Sequence, residues 1–377
     1  MEDRRLEMHY TRRGGSKCHG RNVSMTLLRS DLRYATAALP AKEDAVARPS
    51  DIDAIARGFL ALQARTAAAQ RRPLARGTHA KGVCVRAVFE VLDARAGRDA
   101  ALGARLALGL YAVPRCYPAI VRFANSDPCV NADTVPDVRG ASFAVELPSG
   151  AGGPARQDFS LQSAPTLPFN DVRAFVVYAQ VASGRNEAIA IASLPFRDQL
   201  TFAQTRMRVL QQQRQAVQPY QRLRYWSNVP FRHGSADIVK YSLTPGRGNP
   251  ARALDRSDPN ALRDELLRHV NEDPILSTFD FGLQFLDLTT MTHQGIRRDA
   301  AFWIENAAVE WPEHQAPFHT VARLTLLPRS GLSSEACDAT YIDVTGNSLA
   351  SGAPVGAINR ARWHVETASR NARRSAT

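Results

Sequence analysis

Apolar side chains recur at helical spacing along Ile52, Ile55, Phe59 and Leu62, which predicts a helix from position 51 to near Pro73. After it the period drops to two. Val83, Val85, Ala87, Phe89 and Val91 alternate, with Val88 apolar on the other face, as in a strand covered partly on both sides. Strand-like runs follow at 119–125, 139–147 and 157–162, each bounded by Pro, Gly, Asn or Asp. Helical spacing returns over 171–181 and about 195–217, the latter with a Gln- and Arg-rich outer face. Phe279, Phe281, Leu283 and Phe285 then alternate, runs at 300–306 and 320–327 read as further strands, and a helix over 359–374 closes the chain. Grouped strands without regular βα alternation predict an α+β fold with a mostly antiparallel sheet. No repeat of 20–50 residues is present.

With 377 residues, 44% of them hydrophobic, the chain can bury a sizeable core. Residues 1–50 are basic, then Ala-rich and aperiodic, and read as a poorly ordered extension; 51–377 reads as the folded domain. No apolar run approaches the ~18 residues of a membrane span. The opening Met1-Glu2-Asp3-Arg4-Arg5 lacks a signal peptide's apolar core, so a cytoplasmic location is expected. The cysteines at 18, 84, 116, 129 and 337 show neither metal-ligand spacing nor the density of a disulfide scaffold, and read as free thiols.

The net charge of +12 is almost wholly arginine, since only four of the 48 basic residues are lysine. Because these arginines are spread out and lack interleaved aromatics, no nucleic-acid partner is expected. A guanidinium fork also suits an anionic ligand. The common nucleotide and hydrolase signatures are missing, and Gly246-Arg247-Gly248-Asn249-Pro250 carries a proline where a phosphate-binding helix would begin.

Three segments stand in a more specific order: Arg76-Gly77-Thr78-His79-Ala80-Lys81-Gly82, Val121-Arg122-Phe123, and Ala132-Asp133-Thr134-Val135-Pro136-Asp137-Val138-Arg139-Gly140. They resemble the haem catalase family. The similarity continues through Asp158-Phe159, Pro165 and 171–175, then Tyr225-Trp226-Ser227, Lys240-Tyr241-Ser242-Leu243, Ile304-Glu305 and 354–362. These later pieces look like the short bacterial catalase-related branch. The resemblance implies a catalase-like antiparallel β-barrel with surrounding helices: a distal haem segment at 74–181, the second half of the barrel at 236–345 and a closing proximal helix at 355–374. It also implies haem b, hence iron, a peroxide or small-molecule hydroperoxide substrate, and a homo-oligomer.

By the same resemblance His79 is the distal acid–base group, Arg76 and Arg122 hold the haem propionates, and Phe175 lies beside the haem. A histidine there can take a proton from peroxide and return it to the leaving oxygen. Buried propionates, for their part, need paired cations. Three positions depart from the family pattern. Gln162 or Ser163 stands where the family has a distal Asn, and Ala124 replaces the Ser that bonds the distal His. Glu366 stands where the family has its iron-ligating Tyr, although the flanking Arg362 and Arg373 are kept. Glu366 is then either a possible axial ligand or simply the i,i+4 ion-pair partner of Arg362. The expected function is a specialised peroxide or hydroperoxide oxidation; the alternative is a catalase-fold binding or structural module without working haem chemistry.

Overall fold

The alternating segments do form strands, and they close on one another. The structure, a computed structural model, describes residues 48–148, 155–184 and 186–376. Its strands are β1 (Gly82–Val91), β2 (Arg115–Asn125), β3 (Arg139–Glu146), β4 (Arg156–Gln162), β5 (Tyr225–Trp226), β6 (Phe231–His233), β7 (Asp237–Pro245), β8 (Thr278–Phe285), the hairpin β9 (Thr292–His293) and β10 (Ile296–Arg297), and β11 (Phe318–Gly331). Antiparallel pairing runs β5-β4-β3-β2-β1-β11-β8-β7, and β7 pairs again with β5, so eight strands make a closed barrel with β6 added on β7. Closure leaves these strands no free edge.

Inward positions fill the barrel with aromatic rings. Phe143 stacks on Phe159 at 4.7 Å, Phe159 meets Phe281 edge-on at 5.1 Å, and Tyr241 lies 5.2 Å from Phe281. Such pairs are worth about 0.5–1.5 kcal/mol each beyond the area they bury.

The helices are α1 (Pro49–Ala69), α2 (Ala100–Leu106), α3 (Val172–Ser183), α4 (Glu187–Ala192), α5 (Phe196–Gln213), α6 (Ala261–Glu272), α7 (Ala300–Glu305), α8 (Ser334–Ala339) and α9 (Ala357–Ala376). α1 lays Ile52, Ile55 and Phe59 into the core, and Phe59 meets Phe175 of α3 edge-on at 5.3 Å. α1 and α3 pack together with α9 against α1, forming one helical layer beside the barrel. Asp171 caps α3 by accepting from Ala174 N, and this fixes where that helix starts.

Several expectations need correction. Residues 300–306 form helix α7, not a strand, because Asp299 caps them by accepting from Phe302 N. α1 begins at Pro49, two residues inside the expected extension, of which 1–47 lie outside the described residues. Cys84, Cys116 and Cys337 are not free thiols: Cys84 and Cys337 form a disulfide with their Cα atoms 5.3 Å apart, and Cys116 is likewise disulfide-bonded, whereas Cys129 is free. The outer face of α5 is not simply polar, since Phe196, Leu200, Met207 and Leu210 are exposed on it.

Candidate functional site

A cavity of about 670 Å³ lies between the helical layer and the barrel wall, large enough for a cofactor-sized ligand. His79, Gln162, Arg76, Arg122, Phe175, Arg362, Glu366 and Arg373 all line it. Of the two candidates at the end of β4, Gln162 lines the cavity. Ser163 is buried instead, accepting from Arg139 N and donating to Gln215 Oε1, each at 2.8 Å.

His79 adopts a left-handed backbone, φ 56°. This conformation costs a non-glycine residue about 1–3 kcal/mol and persists only where the surroundings hold it. Here they do: His79 N donates to Ser126 O (3.1 Å), Ala80 N to Asp127 O (3.3 Å), and Arg122 Nη2 to His79 O (2.9 Å). The imidazole makes no hydrogen bond among the described residues, as expected with Ala124 in place of a serine. Its orientation is set by contact instead. A methyl group added to Gly140 would lie 2.8 Å from His79 Cδ2 and 3.0 Å from Nε2, so the bare backbone at Gly140 is the surface on which the ring rests. Gly82 likewise leaves the space that the Arg122 guanidinium fills, 2.6 Å from where a Cβ would stand.

Burial, and then the cations of Arg122, Arg362 and Arg76, push the His79 pKa down to about 3. His79 is therefore neutral at ordinary pH, able to accept a proton and poorly able to keep one.

The acidic and basic residues of the third segment mostly build the fold. Asp133, fully buried, pairs with Lys81 Nζ at 3.0 Å and accepts from Asn125 Nδ2 at 2.9 Å. It also accepts from Leu262 N and Arg263 N, and so caps α6, whose N-cap residue Asn260 provides no side-chain cap. Arg139 donates to the carbonyls of Asp133 and Val135 at 2.9 and 2.7 Å, closing the turn between β2 and β3.

Arg76, Arg122, Arg370 and Arg373 are among the residues that line the cavity. Arg76 Nη2 donates to three carbonyls at the end of α8, Cys337, Asp338 and Thr340, at 3.4, 3.1 and 2.8 Å. Burial and the neighbouring guanidinium groups lower the pKa of Arg76 to about 10 and of Arg122 to about 9, so both remain charged at neutral pH. The Nε atoms of Arg76 and Arg122 are buried without a hydrogen-bond partner among the described residues. Buried cations with unused donors call for an anion.

α9 supplies one wall of the cavity. Arg362 lies 3.6 Å from Glu366 and donates to Ser160 Oγ at 3.3 Å; Ser160 in turn meets Ser142 Oγ at 3.1 Å. Burial raises the Glu366 pKa, Arg362 opposes this, and the nearby Asp343 and Asp158 add to it. Ser369 Oγ accepts from Gly77 N at 3.1 Å and ties α9 to the His79 segment. Ser142, Ser160 and Arg370 line the cavity without having been singled out in the sequence. Arg370 sits one turn beyond Glu366 and was within reach of the same i,i+4 reasoning.

The donor set suits a flat, dianionic organic cofactor: Arg76 and Arg122 with unused Nε donors, Phe59 and Phe175 among the walls, and a neutral histidine inside. Among the described residues no group of three or more His, Cys, Asp or Glu could hold a bare metal ion.

No family model and no curated protein matches the chain. Solved structures do. Catalase A from Saccharomyces cerevisiae is similar with a TM-score of 0.60 and 14% identity over 82% of this chain. A fungal catalase follows with a TM-score of 0.57 and 14% identity over 81%, and a bacterial catalase with 0.52 and 14% over 84%. This chain spans 63%, 60% and 60% of their respective lengths. At that identity the likeness concerns architecture, and it agrees with the closed eight-stranded barrel and its helices: the chain has a catalase-like fold.

Proposed function

We propose that the cavity binds haem b and that the protein is a haem-dependent oxidoreductase acting on hydrogen peroxide or an organic hydroperoxide. The observation that carries this reading is the convergence of all eight sequence-derived residues on one cavity, with His79 neutral inside it. Arg76 and Arg122 would hold the propionates, Phe175 would pack on the ring, and Glu366 would face the iron from α9. Bound haem would supply the redox centre for cleaving an O–O bond.

The chain's own groups account for the rest. A neutral His79 accepts the proton of a hydroperoxide at its unprotonated ring nitrogen and returns it to the departing oxygen. Gln162, with an amide, can donate to the peroxide and orient it. Arg362 neutralises the carboxylate of Glu366. Because a carboxylate gives iron less electron density than a phenolate, haem held beside Glu366 would favour specialised oxidation more than rapid peroxide disproportionation. One observation favours the second reading, a haem-free binding module: Arg362 and Glu366 already satisfy one another at 3.6 Å.

Titration of the purified full-length chain with haemin, followed in the visible spectrum, separates the two. A saturable shifted Soret band that Arg122→Met weakens by more than it lowers thermal stability is the expected result. No saturable binding removes the haem reading and leaves the module.

A further inference from the structure

α5 is apolar on two sides. Inward, Phe202 joins Val177 and Val181 of α3. Outward, Phe196, Leu200, Ala203, Met207 and Leu210 follow one another at spacings of four and three, which aligns them in a single stripe about 21 Å long. Phe196 is 74% exposed, Leu200 50% and Met207 56%; on adjacent α4, Ile189 is 69% exposed. Scattered exposed apolar residues need no explanation, but a continuous row does.

The charges beside the row narrow what can cover it. Arg197, Gln204 and Gln211 flank it on one side, Gln199, Arg206 and Gln213 on the other. The only acid on the helix, Asp198, is buried and paired with Arg173. A second copy of α5 packed along the stripe would set cations and amides against their own kind, with no exposed carboxylate on the helix to answer them. The flanks call for an anionic occupant, in keeping with the chain's net charge of +12.

The stripe also borders the cavity. Arg206 and Glu187 are exposed and line the cavity at once, and so form part of its rim.

We propose that α5 docks on an anionic lipid surface, its apolar stripe entering the acyl boundary and its arginines meeting the headgroups, with the cavity mouth seated against the bilayer. A short cationic amphipathic helix binds in this way without spanning. Docking depends on the stripe and its flanking arginines, and holds whatever occupies the cavity.

The test is co-sedimentation of the full-length protein with phosphatidylcholine vesicles, with and without phosphatidylglycerol. Binding is expected only with phosphatidylglycerol, and added salt should weaken it. Leu200→Ser combined with Met207→Ser should lower vesicle affinity by at least about tenfold, because both side chains would leave the acyl boundary. Melting temperature should not change, since both residues are exposed. The proposal is overturned by absence of binding to phosphatidylglycerol vesicles, by binding that the double variant retains, or by light scattering that shows a dimer which the double variant dissolves.

Discussion

The His79 segment and α9 face one cavity, yet they are built differently. The His79 wall hangs on backbone: its carbonyls and amides are taken by β2 and the following turn, its ring rests on Gly140, and its Lys81 ends in the buried Asp133 that also caps α6. On α9 the cavity-facing side chains stand on successive turns of one helix, and Glu366 meets mainly Arg362. A substitution in the first wall disturbs several elements at once, whereas position 366 can change with little cost to the fold. Glu366, which the sequence resemblance sets against the family's tyrosine, stands on the second wall. Motif residues in the first are held in place by architecture as much as by chemistry.

The sharpest test of this contrast is His79→Ala. It should lower peroxide turnover of the haem-loaded protein by about 10²–10⁴, the span general acid–base catalysis supplies, while the Soret band persists. Unchanged turnover would remove His79 from the chemistry. Next comes Asp133→Ala, which leaves Lys81 unpaired and α6 uncapped; chemical denaturation should register a loss of about 3–5 kcal/mol. A loss below about 1 kcal/mol would break the claim that this wall is load-carrying architecture.

Glu366→Tyr should do the reverse. Its unfolding free energy should stay within about 1 kcal/mol of the parent, as expected where a partly accessible ion pair is lost, while haem affinity and peroxide disproportionation rise. If the variant binds haem no better, position 366 does not face the iron.

The smallest expected effect is in pH dependence. Folded His79 titrates near 3 and its unfolded counterpart near 6.5, so between these values the unfolded chain binds the extra proton. This contribution lowers stability as pH falls from 6.5 toward 3, and His79→Gln should flatten that part of the profile. An unchanged slope would place the imidazole in a more solvated setting than the one described.

What could be read in advance followed from pattern strength. Strands β1 to β4 read as short strand-like runs bounded by Pro, Gly, Asn or Asp, and the ordered segments around His79, Arg122 and Gly140 pointed to the residues that line the cavity. β7 was missed because Lys240 and Ser242 are buried alongside Tyr241 and Leu243, which erases the polar half of the alternation. α6 was missed for a similar reason: Glu265 and His269 lie on its inner face, His269 bonded to Ser277 and Asp273. The run at 300–306 is too short for periodicity to tell a helix from a strand. The contact of Gly140 with the imidazole left no sequence signal beyond the glycine itself.

The Cys84–Cys337 bond carries a consequence in polymer terms. Its ends are 253 positions apart, so it turns most of the domain into a covalent ring. Loop-closure statistics assign such a ring about 5 kcal/mol through the lost freedom of the unfolded chain. Cys337 also offers one of the three carbonyls that hold Arg76, six positions before β1 begins. The crosslink thus fixes the distance between the arginine's socket and the strand next to it, and an unfolded but oxidised chain already carries the two as neighbours.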